Sequence, residues 1–161
     1  MDAIVAVYDD WGIGCDGDQP VALSADRKFF RSTTKGASVI VGRKTLAAFP
    51  GGRPLPNRRN IVLTRSEAEL AGVELAGTPE EAVELCRQDA QVFVIGGGTV
   101  YRQMLPMCSR AYVTKVHACP KSDTWFEDLD ASPDWELKEI LQSGEENGVS
   151  YEMCLYVRKT Q

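Results

Sequence analysis

Residues 92–106 read VFVIGGGTVYRQMLP. Four apolar residues run into three consecutive glycines, and a helical pattern follows. An uninterrupted apolar run of this length suits a strand buried on both faces, as in a parallel sheet. Glycine weakens the interior of a strand or a helix alike, so three at one junction mark a special demand on the backbone. Two readings fit. Small residues there let a phosphate approach the backbone N–H groups and the positive end of the following helix. Alternatively, the glycines make a tight strand-to-helix turn with no ligand.

Working outward from this junction, strands and helices alternate. AIVAVY (3–8) reads as a strand, and a Gly- and Asp-rich loop follows. Ser24 is placed to cap a helix through ADRKFFRSTT. ASVIVG (37–42) is a strand, RKTLAAF a short helix, and PGGRPLPNRRN a turn-rich connection. IVLT (61–64) and GVELA (72–76) are strands. Thr78 and Glu81 form a capping box that opens the helix PEEAVELCR. QVFVI (91–95) is the strand that ends at the glycines, TVYRQML the helix after it, and RAYVTKVHA (110–118) the next strand. WELKEILQ and SYEMCLYVRK predict a terminal antiparallel hairpin joined by GEENG. The pattern predicts one domain over residues 1–161. Its architecture is a three-layer α/β fold with a central, mostly parallel sheet and antiparallel C-terminal edge strands. Ligands of such sheets sit beyond the carboxyl ends of the strands.

The totals narrow the function classes. The chain has 161 residues, 43% apolar and 25% charged, as in ordinary globular proteins. A net charge of −5 argues against a general nucleic-acid or membrane binder, which needs clustered Lys and Arg. No apolar run approaches the roughly 20 residues that span a bilayer, and the acidic start MDAIVAVYDD shows no signal-peptide pattern. The five cysteines contain no CxxC, which points to reduced thiols in a cytoplasmic protein and not to zinc pairs or disulfides. The single histidine, His117, lies in a strand-like run and is read as structural, so His-based triads and multi-His metal sites drop out.

A second glycine pattern, GIGCDG (12–17), matches G-x-G-x-x-G after a strand. A dinucleotide loop of that type should open a helix. Here it continues as loop through Asp18-Gln19-Pro20, so the reading is a turn-rich segment beside the sheet's carboxyl edge, a position suited to a lid. Asp26 lies in the first turn of the next helix, with Phe29, Phe30 and Thr33 on its face. It either favours the helix N-terminus electrostatically or faces the sheet. In the second case burial raises its pKa unless a donor pairs with it, and it suits a ligand presenting two adjacent N–H donors.

Taken together, these pieces resemble the dihydrofolate reductase family nearly from end to end. The matching segments come in the family's order: AIVAVY; the loop with Ile13, Gly14 and Pro20; Asp26 with its two phenylalanines; VIVGRKT (39–45); RPLPNRRNIVLT (53–64); VFVIGGGTVY (92–101); YVTKV (112–116); and SDTWF (122–126). The resemblance implies reduction of dihydrofolate to tetrahydrofolate with NADPH, by a cytoplasmic monomer without a metal. It implies that Asp26 holds the pterin 2-amino group and N3 and is the catalytic acid group, with Thr114 supporting it. Phe30 would pack on the pterin and aminobenzoyl rings, with Phe49 and Leu55 along the channel. The backbones of Ile4, Val5 and Ile95 would border the pterin, and Arg58 would fork onto the glutamate tail's α-carboxylate. For the cofactor, Ala6, Ile13 and Gly14 would approach the nicotinamide end. Gly42, Lys44 and Thr45 would lie near the pyrophosphate, and Arg43, Leu63, Thr64 and Arg65 would surround the 2′-phosphate. Ile95, Gly96, Gly97, Gly98, Thr99, Val100 and Tyr101 would line the glycine cleft, with a cis peptide between Gly96 and Gly97.

Four departures from the family pattern stand out. Val21 replaces the usual tryptophan and lacks its indole donor. Arg27 follows Asp26 where an apolar or amide residue is common, and is a candidate for the substrate's tail. Two residues expand the chain at Pro50-Gly51, and Gln19 stands at an apolar lid position. Rival readings are a riboflavin-pathway or other pterin-like reductase, expected to lack the helix acid and the arginine, and a weakly active pterin- or nucleotide-binding protein, favoured by Val21.

Overall fold

The computed structural model describes residues 1–67 and 69–159. Its core is an eight-stranded sheet in the order β5-β4-β3-β6-β1-β7-β10-β9. The strands are β1 (Asp2–Val7), β3 (Ser38–Gly42), β4 (Arg59–Leu63), β5 (Glu74–Ala76), β6 (Val92–Gly96), β7 (Arg110–Val116), β9 (Trp135–Glu146) and β10 (Val149–Arg158). β5, β4, β3, β6, β1 and β7 all pair in parallel. β10 then joins β7 antiparallel and carries β9 to the edge. The expected mostly parallel sheet with an antiparallel C-terminal edge is therefore present.

Alternation along the strands makes the three layers. Ile4, Val39, Val41, Val62, Phe93 and Ile95 pack on one face, where helices α1 (Ser24–Thr34) and α2 (Arg43–Ala47) lie. Val5, Ile40, Ile61, Val94 and Val113 pack on the other, under α3 (Pro79–Leu85) and α4 (Gly98–Met104). Val39, Ile40, Val41, Ile61, Val62 and Val94 are fully buried. Burying each such side chain contributes about 1.5–3 kcal/mol, which is why these apolar runs form central strands.

Several local expectations are corrected. Ser24 does not cap α1. The N-cap is Leu23, without a side-chain bond, and Ser24 is the first helical residue. Its backbone N–H and hydroxyl both donate to Glu146, at 2.8 and 2.7 Å, and the Ala25 N–H donates to the same carboxylate at 3.0 Å. A carboxylate remote in sequence supplies the cap. The terminal hairpin turns on Asn147-Gly148, both in the left-handed region, and GEENG is not a loop because β9 continues through Glu146. Asn-Gly is the preferred pair for a two-residue hairpin turn. Thr78 caps α3 as expected, accepting from the Glu81 N–H at Oγ1, and only the return bond differs, the Glu81 carboxylate accepting from the Gly77 N–H. The GIGCDG segment opens no helix. Gly12–Gly14 forms a short strand, β2, that pairs antiparallel with β8 (Thr124–Trp125). His117 lies one residue beyond β7 and faces the carboxylates of Asp9 and Glu152 at 3.3 and 3.0 Å. None of the five cysteines is paired.

Candidate active site

The first turn of α1 lies beside the carboxyl ends of β1 and β7, where Leu23 and Ala25 pack with Tyr8 and Val116. Asp26 is half-buried in that first turn. The Thr114 hydroxyl, from β7, lies near its carboxyl and favours the ionised form. Thr114 is buried and registers with Ala6 of β1, so the parallel pairing of β1 and β7 delivers the hydroxyl to the acid. Burial is the main influence and raises the Asp26 pKa, while the Thr114 hydroxyl and the Arg27 charge pull it back. This is the sheet-facing arrangement and not a solvated helix-terminal acid. Arg27 itself is exposed at the rim.

Apolar side chains on the α1 face of the sheet form the candidate channel. Phe29, Phe30, Phe49 and Leu55 pack, each half-buried, against the face formed by Ile4, Leu46, Phe93 and Ile95. Val5 points to the opposite side of the sheet, so Val5 offers the channel its backbone alone. Arg58 follows Leu55 in the loop that leads into β4. Its Nε donates to Thr34 Oγ1 at 2.8 Å, Nη1 to the Pro56 carbonyl at 2.6 Å and Nη2 to the Arg31 carbonyl at 3.0 Å. A guanidinium has five N–H donors, so three such bonds fix its plane and leave two donors. Its neighbour Arg59 points the other way, forking onto Glu74 and reaching Asp89. Consecutive arginines at the start of β4 thus serve opposite faces.

The two strand-to-helix junctions that follow β3 and β6 abut each other. A Cβ on Gly42 would lie 3.1 Å from Val100 Cγ2, and one on Gly97 would lie 2.7 Å from Thr45 Oγ1. A Cβ on Gly98 would lie 2.4 Å from Thr124 Cγ2. The peptide between Gly96 and Gly97 is cis. Buried Tyr101 sets its ring beside Gly96, and its hydroxyl donates to the Ile4 carbonyl at 2.6 Å, tying α4 to β1. The Asp26 charge helps to push the Tyr101 pKa upward, after burial, so the glycine turn and the acid share one neighbourhood. The register of Gly42 with Leu63 sets half-buried Arg43 beside Thr64, with exposed Arg65 following. Ile13 lies near Gly98, reaching within 4.0 Å of where a Gly98 Cβ would stand. Exposed Lys44 and Thr99 border the junctions.

With this geometry in place, the sequence profile of the family described as dihydrofolate reductase matches residues 1–158. The chain belongs to the dihydrofolate reductase family. It is 37% identical to the dihydrofolate reductase of Bacillus subtilis (strain 168) over 150 residues, covering 91% of this chain and 88% of that one. It is 38% identical to that of Staphylococcus haemolyticus over 158 residues, covering 96% and 93%. A solved dihydrofolate reductase from Enterococcus faecalis, complexed with NADP(H) and RAB-propyl, superposes with a TM-score of 0.88 at 31% identity. That match covers 99% of this chain and 96% of the other.

As a member of the dihydrofolate reductase family, the chain can be asked whether its own residues fit NADPH. They do. The abutting glycine junctions present bare backbone, and the first-turn N–H groups of α2 and α4 have no partner within their helices. The Thr45 hydroxyl stands beside Gly97, and Arg43, Thr64 and Arg65 supply phosphate-binding chemistry next to the junction. Ile13 stands beside Gly98, next to these junctions.

Sequence reasoning missed several contributors. Buried Asn60 accepts from the Leu55 N–H at 3.0 Å and donates to the carbonyls of Leu55 and Arg58 at 2.9 and 3.1 Å. It folds the loop that presents Leu55 and Arg58; its place in RPLPNRRN was the available signal. The loop over residues 9–23 is fastened by Asp123, whose carboxylate accepts from the Asp16 N–H and whose N–H donates to the Gly14 carbonyl, both at 2.9 Å. No local pattern announces these bonds or the Glu146 cap.

Proposed function

We propose that the chain reduces 7,8-dihydrofolate to 5,6,7,8-tetrahydrofolate, consuming NADPH and one proton. NADPH supplies the hydride that adds to pterin C6. The chain's own residues bind, orient and shield. The Asp26 carboxylate accepts from the pterin 2-amino group and N3, so the ring lies edge-on to the acid. Thr114 holds the carboxylate's orientation and shares the amino group. The acid also biases the ring toward the form that takes a proton from water at N5. Phe30, Phe49 and Leu55 enclose the aminobenzoyl ring, and the two donors left on Arg58 fork onto the α-carboxylate. Arg43, Thr64 and Arg65 select the 2′-phosphate of NADPH over NADH. Ile4, Val5, Ala6, Ile13, Gly14 and Ile95 border the reacting rings, and Gly42, Lys44, Thr45 and residues 96–101 hold the dinucleotide. The enzyme works as one domain, as a monomer, in the cytoplasm.

The observation that supports this reading is the half-buried Asp26 with its raised pKa, in a fold whose Gly96–Gly97 turn is tied to β1 through Tyr101. The helix acid and the prepared Arg58 together argue against a riboflavin-pathway reductase. Steady-state assay decides. NADPH oxidation should depend on dihydrofolate and fall at least tenfold with NADH. Tight cofactor binding without turnover would leave a binding protein instead.

A further inference from the structure

The loop over residues 9–23 leaves β1 and returns to α1, and one side chain holds both of its ends. Tyr8 follows the last residue of β1. Its backbone N–H donates to the Gly12 carbonyl and its carbonyl accepts from the Trp11 N–H, both at 2.9 Å, which forms the loop's first turn. Its side chain reaches the loop's far end. The hydroxyl donates to the Val21 carbonyl at 2.8 Å and accepts from the Val21 N–H at 3.0 Å. One hydroxyl thereby satisfies both backbone groups of one residue, a geometry that fixes the Val21 peptide units in place. The Tyr8 ring is 5% exposed and packs with Leu23, Val116, Tyr151 and Met153, so the hydroxyl is held rigidly. Leu23 is the N-cap residue of α1, three positions before Asp26. Between Val21 and the acid there is little slack: Leu23 is buried, and Ser24 and Ala25 are clasped by Glu146.

We propose that Tyr8 is a positioning residue for the reaction. Its hydroxyl latches the loop so that Ile13 and the first turn of α1 keep their places around the ligand. The Val21 side chain is incidental to this latch, which uses backbone groups alone. The role rests on the reductase reading, since it is expressed as turnover. It is also readable without turnover, because it predicts protection of one named amide.

Tyr8→Phe keeps the ring and its packing and removes the latch. In that variant kcat with dihydrofolate should fall about five- to tenfold, while NADPH affinity changes less than twofold. Hydrogen exchange at the Val21 amide should accelerate at least tenfold, with the β1 amides unchanged. Tyr151→Phe, a tyrosine in the same apolar cluster, should change neither kcat nor Val21 exchange. Parent-like kcat in Tyr8→Phe, or an equal loss of kcat in both variants, overturns the proposal. Should Tyr8→Phe fail to fold, the parent decides: a Val21 amide protected at least a hundredfold over its free-peptide rate supports the latch, and exchange at the free-peptide rate refutes it. A parent with no turnover defeats the reductase reading, and the Val21 amide still decides whether the latch exists.

Discussion

Burial raises the Asp26 pKa, and the Thr114 hydroxyl and Arg27 charge offset part of that rise. An acid whose pKa is higher in the folded than in the unfolded chain stabilises the fold fully below the unfolded pKa, near 3.8, and loses that contribution as pH rises through the folded value. Above the folded value the charged carboxyl weakens the fold, a cost that a ligand bound at the acid would offset. Asp26→Asn should raise Tm at pH 7, and the gain should shrink toward pH 4, as thermal melts across that range would show. Arg58 offers a separate test. Lysine keeps the charge but loses the fork. With a charge-assisted hydrogen bond contributing about 1.5–3 kcal/mol, Arg58→Lys should raise the KM for dihydrofolate at least tenfold. Steady-state kinetics should find kcat little changed, the signature of lost uniform binding.

Helix α1 carries the acid yet lacks a side-chain cap of its own. Glu146, at the end of β9, provides the cap from the far end of the chain, and the Ser24 and Ala25 bonds hold its pKa below the ordinary 4.5. A group depressed in this way contributes stability above its unfolded pKa and loses it as pH falls through the folded value. Glu146→Gln should therefore lower Tm at pH 7, with the difference from the parent closing below about pH 4 as the parent's carboxyl protonates. The hairpin that presents Glu146 depends on its turn. Gly148 has φ of 79°, in the left-handed region. There a Cβ costs roughly 1–2 kcal/mol, so Gly148→Ala should destabilise by about that amount in denaturant titrations. Its Tm should fall together with that of Glu146→Gln, because one positions the other.

Across the molecule, the pattern of alternating elements was legible because burial on both faces writes itself into continuous apolar runs, as in residues 92–95 and 39–41. Asp26, Phe30 and Arg58 were legible through ordered motifs. What stayed hidden depends on chain ends meeting in space. The Glu146 cap joins residues over 120 positions apart in sequence, and the Tyr8 latch uses a backbone that no pattern marks. GEENG read as a loop because its composition is polar, yet an edge strand tolerates polar residues on both faces, and the β9 residues are largely exposed. GIGCDG matched a dinucleotide motif in letters, but its first three residues pair with β8 as a strand and nothing in it starts a helix. If the acid of α1 and the glycine cleft after β6 act on one ligand pair, removing the acid's charge should stop the chemistry and spare the cofactor. A single-turnover measurement of NADPH oxidation in parent and Asp26→Asn, with cofactor affinity measured alongside, tests it most directly. The Asp26→Asn rate should be lower by orders of magnitude at neutral pH with NADPH affinity nearly unchanged; equal rates in the two proteins would refute this joint action.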